Sequence, residues 1–278
     1  MKRALLFAPL ILAVFAPLSS AKRIAAPPNP IQRAFQADVV VVGKVTAIEK
    51  ETVEVADAPG AAKIAYAIAV IKVETGLSGA ANLTHVKVGF VPPAPNAPPR
   101  RGAPSVALEA KQEGLFFLTK HSSGQFYIFN WMASPVDATA ENFKISVANV
   151  KKAYAVLAEP EKALKAEKFE DRTFAAVALI LRYRSTPQVG EVVLEKVPAA
   201  ESTPILKSLA EADWSKFDPN LPAPSNLFYM LGLTTEDGWA PPKPQPGADF
   251  NEELRKAFAK WLDGPGKDYR INKMVKKK

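Results

Sequence analysis

Two histidines, 28 acidic side chains and no cysteine are the stock from which this chain can build a metal site or an activated nucleophile. His85 falls on the polar face of an alternating segment. His121 stands in the turn His121-Ser-Ser-Gly124 and reads as a surface residue. Zinc needs three or four N, S or O ligands at defined spacing, and the chain has no HExxH and no thiolate, so no metal or cofactor is expected. No GxSxG elbow activates a serine. Gly264-Pro-Gly266-Lys267 lacks the spacing and the following Ser or Thr of a phosphate loop and reads as a helix-stop turn. Two carboxylate pairs remain. A glycosidase needs two acids across a cleft, one with its pKa raised by burial. Glu109 with Glu113 reads as surface charge, and Glu170-Asp171 as the start of a helix. Asp38, directly before an apolar run, is placed to accept turn amides. No residue is assigned a catalytic role, and the expected class is a non-enzymatic binding or scaffold protein.

Binding chemistry is better represented. Phe116, Phe117, Phe126, Tyr127, Phe129 and Trp131 cluster within sixteen positions. Alternate members of a strand face opposite sides. One set fills a core, and the other packs on helices or forms a stacking platform. The residues nominated for a ligand are Tyr127, Phe129 and Trp131, with Arg100 and Arg101 in the Pro-rich loop.

The elements that must hold these residues fall into two textures. Residues 38–49 are rich in β-branched side chains, with Gly43 marking a bulge or bend. Residues 64–74 form a second strand, apolar on both faces, and Leu83–Val91 alternates. The segment PPAPNAPPRRGAP is a loop. Val106–Ala110 is a short possible strand, and residues 115–120 and 125–132 form a hairpin. Five or six strands within about 95 residues suit a small closed barrel. After Pro135 the texture is helical. Phe143, Val147, Val150, Tyr154 and Leu157 form an amphipathic stripe, and AAVALILRY is apolar nearly all round. Ser202-Thr203-Pro204 and Asp249 start later helices, the last with Leu254, Phe258, Trp261 and Leu262 inward. No strand is expected among these helices, and no repeat period supports HEAT-like pairs.

The first residues address location. Lys2 and Arg3, the apolar run Leu5–Leu18 and Ser19-Ser20-Ala21 have the three parts of a secretory signal. The run is shorter than the roughly 20 residues a membrane-spanning helix needs, and Pro9 and Pro17 interrupt it. The leader accounts for two of the eight net positive charges, and residues 267–278 carry six basic side chains against Asp268, leaving residues 22–266 at +1. A nucleic-acid-binding face is a basic stripe on the folded body, so nucleic acid is not an expected partner. The basic tail reads as solvated and frayed, with loose attraction to anionic surfaces as its functional alternative.

Ala34-Phe35-Gln36-Ala37-Asp38-Val39-Val40, continuing to Gly43-Lys44-Val45, resembles the opening of the netrin-like OB-fold domain of tissue inhibitors of metalloproteinases. Tyr66–Val73 is similar to that family's second strand, and Glu113–Leu118 with Gly124–Trp131 to its later hairpin, which closes near a Trp. The resemblance covers residues 30–135 and implies an OB-like barrel. It also implies, as the alternative function, inhibition of an exported metalloprotease. In that family an N-terminal Cys chelates the protease zinc, and this chain has no Cys.

The expected fold class is therefore α+β. Its parts are a signal peptide (1–21), a Pro-rich lead (22–36) expected to be extended over 22–33, an OB-like antiparallel barrel of five or six strands (37–135), an irregular α-helical domain (140–266) and a basic tail (267–278). The expected location is secreted or periplasmic, with an envelope protein or polysaccharide as partner and no spanning segment after cleavage. N-terminal sequencing of the exported protein is expected to begin at Lys22, and a retained Met1 would overturn the leader assignment.

Overall fold

The computed structural model describes residues 28–92, 106–130, 133–186, 190–216, 218–244 and 247–277. The leader, Arg100, Arg101, Trp131 and Lys278 lie outside them.

The lead is not extended throughout. Asn29 caps a helix, α1 (Pro30–Gln36), by accepting the Gln32 amide at 3.0 Å, and Pro30 occupies the first turn, where its missing N–H costs nothing. This short helix is a wedge. Ile31 and Phe35 enter the helical core, whereas Ala34 packs on the barrel with Val40, Leu115, Phe117 and Val150.

The barrel follows. Strands β1 (Val39–Ile48), β3 (Lys63–Ser78), β4 (His85–Phe90), β6 (Tyr127–Phe129) and β5 (Glu113–Lys120) run in that spatial order, and β5 pairs back onto β1 to close it. The β4–β6 pairing is parallel and the others are antiparallel, so the expected all-antiparallel barrel is in fact mixed. Closure leaves β1 without a free edge. The β1–β3 register shifts at Gly43, where a Cβ would lie 2.5 Å from the Lys72 carbonyl oxygen. Only glycine lets the backbones approach so closely, which is the bend expected there. Strands β2 (Val53–Ala56) and β7 (Val136–Asp137) pair with β3 and β5. Residues 106–110 form no strand, but Val106 and Leu108 still plug the barrel core.

The second half is built on α4 (Phe169–Arg184). Every side chain from Phe174 to Leu181 is buried, as its all-round apolarity requires. Around it pack α2 (Phe143–Ala158), α3 (Pro160–Leu164), α5 (Ala199–Glu211) and α6 (Pro224–Leu231), and α7 (Phe250–Leu262) packs on α5 and α6. Asp249 caps α7 through the Asn251 and Glu252 amides, as its position before the helix predicts. Helix α5 begins a turn before Ser202. The Ser202 hydroxyl instead donates to the Val197 carbonyl and accepts the Ile271 amide.

That bond introduces an element the sequence pattern did not announce. Strand β8 (Val192–Lys196) pairs antiparallel with β9 (Asn272–Lys276), so the helical half contains a two-stranded ribbon. The basic tail, expected to fray, is one of its strands. Ion pairs Lys273–Glu195 (3.0 Å) and Lys277–Glu191 (2.8 Å) run across the ribbon. Among the described residues no helix is long and apolar enough to cross a membrane.

Ile31→Ala is expected to lower stability by about 2–5 kcal/mol, the usual cost of truncating a fully buried side chain. The half-exposed Ile145→Ala should cost under about 0.5 kcal/mol. Thermal or denaturant unfolding checks both, and equal small losses would mean that α1 is not a structural wedge.

Candidate functional site

Of the nominated aromatics, Trp131 lies outside the described residues, and Tyr127 and Phe129 do not form an exposed platform. Phe129 is a core residue of the barrel, and Tyr127 packs half-buried against the same cluster. Strand periodicity places the two on one face without saying which face is inside. The face they share is the interior.

The outer side of the hairpin carries a different assembly. Phe126 packs on Tyr66 and Ile68 outside the barrel, and its ring lies over Gly89, where a Cβ would meet it at 2.4 Å. His121, expected at the surface, is 3 % exposed and stacks on Phe126 with ring centroids 4.7 Å apart. Its Nδ1 accepts the Ser123 amide at 3.1 Å, which places the ring proton on Nε2, facing Asp57 Oδ1 at 3.2 Å. The Tyr66 hydroxyl donates to the same oxygen at 2.5 Å, and the Ser122 hydroxyl donates to the Asp57 carbonyl. Ser123, His121 and Asp57 thus line up in the order of a nucleophile, base and orienting acid. The chemistry does not follow. The nitrogen facing the Ser123 hydroxyl, at 3.0 Å, already spends its lone pair on the Ser123 amide. A general base needs that lone pair free. The assembly is a clip that fastens the β5–β6 turn to the end of β2.

The clip has an electrostatic signature. The Tyr66 hydrogen bond, ahead of the His121 contact, holds the Asp57 carboxyl below its ordinary range. Burial first, and Asp57 second, push the Tyr66 phenol well up.

Of the other acids, Glu113 is surface charge, and Glu170 and Asp171 lie in the first turn of α4, whose capping position is held by Lys168. Glu113 pairs with Lys44 and Asp171 with Lys152, each at 2.6 Å. Among the described residues no group of three or more His, Asp or Glu is placed to hold a metal ion.

Asp38 is the exception. Its Oδ2 accepts the Lys120 amide at 2.8 Å, so it does satisfy a backbone donor, but on β5 rather than in its own turn. It thereby sits in a cleft of about 660 Å³ between the barrel and the helical half. The walls are the end of α1 and start of β1 (Phe35–Asp38), the end of β5 (Thr119, Lys120), the end of α4 and residues after it (Arg182, Tyr183, Ser185, Thr186), and β9 (Lys273–Lys276). Among the described residues the lining includes four cationic residues, Lys120, Arg182, Lys273 and Lys276, and one acidic residue, Asp38. Arg182 also donates to the Phe35 carbonyl at 3.3 Å, and Lys273 is paired with Glu195. Among the described residues Lys120 and Lys276 form no ion pair. No local pattern in the sequence nominates this site, because its cations come from three separate segments, β5, α4 and β9.

In comparisons with known proteins, no family model matches the chain and no curated protein matches it.

Four of the six tyrosines, Tyr66, Tyr154, Tyr183 and Tyr269, are held above the ordinary phenol value, in each case chiefly by burial. A folded pKa above the unfolded one contributes stability that is present below the ordinary value and lost as pH rises through the folded one. Ultraviolet titration should therefore show four phenols ionising late, with alkaline unfolding following them. In Asp57→Asn one of the four should move down part of the way. The carboxylate is lost but the burial stays. An unchanged titration in that variant would remove Asp57 from the clip.

Proposed function

We propose that this chain is an exported, non-enzymatic binding protein of the cell envelope, and that the cleft between its barrel and helical half takes an anionic partner. The observation that carries this reading is the charge of the cleft. The body is nearly neutral, yet four cations and a single acid meet at one concavity. Cations lining a low-dielectric cleft focus the field and favour an anion more than the same charges spread over a surface. The partner is an envelope protein or polysaccharide carrying carboxylate or similar groups. Export rests on the leader pattern of residues 1–21, and the non-enzymatic reading on the occupied lone pair of His121 and the ion-paired surface acids.

A second reading, inhibition of an exported metalloprotease, draws on the OB-like barrel and on α1. A lead that is fixed from Pro30 onward reduces the ordering entropy of presenting the segment before it. A panel of exported metalloproteases assayed with chain 22–278 tests it, and full protease activity throughout would end it.

For the primary reading, chain 22–278 is titrated with oligogalacturonate and with an acidic peptide at low ionic strength. Binding of at least one should weaken as salt rises, because screening shortens the reach of the cleft's charge. The double variant Lys120→Glu/Lys276→Glu should bind at least about tenfold more weakly, the size expected when attractive charges become repulsive ones. Equal affinity in that variant, or no binding of either probe, would refute the cleft as the site.

A further inference from the structure

The cleft contains more than charge. Strand β9 borders it with four consecutive residues, Lys273 to Lys276. Side chains of alternate residues lie on opposite faces of a ribbon. When residues of both parities line a concavity, the strand's edge borders it.

The hydrogen-bonding phase of that edge follows from its ends. The Lys277 amide donates to the Glu191 carbonyl and the Val197 amide to the Ile271 carbonyl, each at 2.8 Å. In an antiparallel pair, residues alternate between those facing the partner strand and those facing away. Lys273 and Val275 therefore turn their peptide groups toward β8. Asn272, Met274 and Lys276 turn theirs outward. The Arg184 guanidinium takes the outward Asn272 carbonyl at 2.9 Å, which identifies the outward edge as the one beside α4 and the cleft. Among the described residues, no bond takes the outward N–H and C=O of Met274 or Lys276.

We infer that the cleft receives an extended acidic peptide segment of a partner protein, which adds to β9 as a third strand of the ribbon. This rests on the cleft being the binding site. The segment makes as many as four main-chain bonds to Met274 and Lys276, the mode by which exposed edges capture extended peptides. Its alternate side chains reach the cations of the cleft that, among the described residues, no carboxylate holds, Lys120 and Arg182 on the walls and Lys276 on the ribbon. Charge complementarity selects an acidic segment, and the unpaired peptide groups select a polypeptide over a glycan. The competing account is that the lysines only guard an exposed edge against unwanted pairing.

A displayed library of random decapeptides is selected on chain 22–278, and the best binder is synthesised and measured by calorimetry. Selected peptides should carry Asp or Glu at alternate positions. N-methylation of one set of alternate residues should weaken binding about tenfold or more, and of the other set should change it little, since one lost hydrogen bond is worth about a factor of ten. Met274→Pro removes an outward donor but none of the β8–β9 bonds and should match the first loss, while Met274→Ala should not. The peptide-side test needs no altered protein, so misfolding of the proline variant cannot rescue or sink the inference. Selected peptides indifferent to the pattern of N-methylation would overturn strand addition. A library without acidic winners, alongside oligogalacturonate binding that needs Lys120 and Lys276, would overturn strand addition and leave the cleft standing. No binding of either probe would remove both.

Discussion

Helix α1 is seven residues long and buries side chains in two cores at once. Ile31 and Phe35 complete the helical core, Ala34 the layer between α2 and the barrel. A helix this short is not stable alone, because too few hydrogen bonds offset its nucleation. It is held by its surroundings. The Tyr154 hydroxyl takes the Ala34 carbonyl at 2.8 Å, and Arg182 takes the Phe35 carbonyl. These bonds satisfy carbonyls that the end of a helix leaves open. Arg33 is 5 % exposed, lies 4.3 Å over the Phe117 ring and donates to the Ala133 carbonyl. Burial drives its pKa down to about 10. Keeping a guanidinium there is costly, and the ring face and carbonyl only partly offset it. The wedge thus fixes barrel and helices with respect to each other.

The cleft is a consequence of that fixing. Its floor is the chain leaving α1 and entering β1, and its walls are the end of β5 on one side and α4 with β9 on the other. None of the four cations is near another in the chain except Lys273 and Lys276. Their convergence requires the closed barrel, the wedge and the ribbon together. The clip at Asp57, His121 and Tyr66 contributes at one remove, since it holds the turn that follows Lys120.

Much of the fold was legible in the residues. The β-branched run with Gly43, the hairpin around His121–Gly124, the all-round apolar α4 and the Asp249 cap each follow from local rules of pattern and capping. The misreadings share a cause. Pro30 looked like part of an extended lead, yet proline is equally suited to the first turn of a helix, and only burial of Ile31 and Phe35 decides between them. Lysines in the tail looked solvated, yet long basic side chains suit an edge strand paired with Glu191 and Glu195. His121 looked exposed in a polar turn, and its burial comes from Tyr66 and Phe126, distant in sequence or on the far side of the turn.

The sequence by itself determined the main barrel strands, the main helices, the α+β class and the nearly neutral charge of the body, because periodicity, capping and composition are local. Only the tertiary structure decided which face of β6 is interior, that the last residues pair with β8, and that Lys120, Arg182, Lys273 and Lys276 line one cleft with Asp38. Those outcomes depend on pairings between separate segments, such as Lys120 with Asp38 across 82 residues and Lys277 with Glu191 across 86. Such pairings are set by burial of the whole chain at once, and no window of the sequence contains both partners.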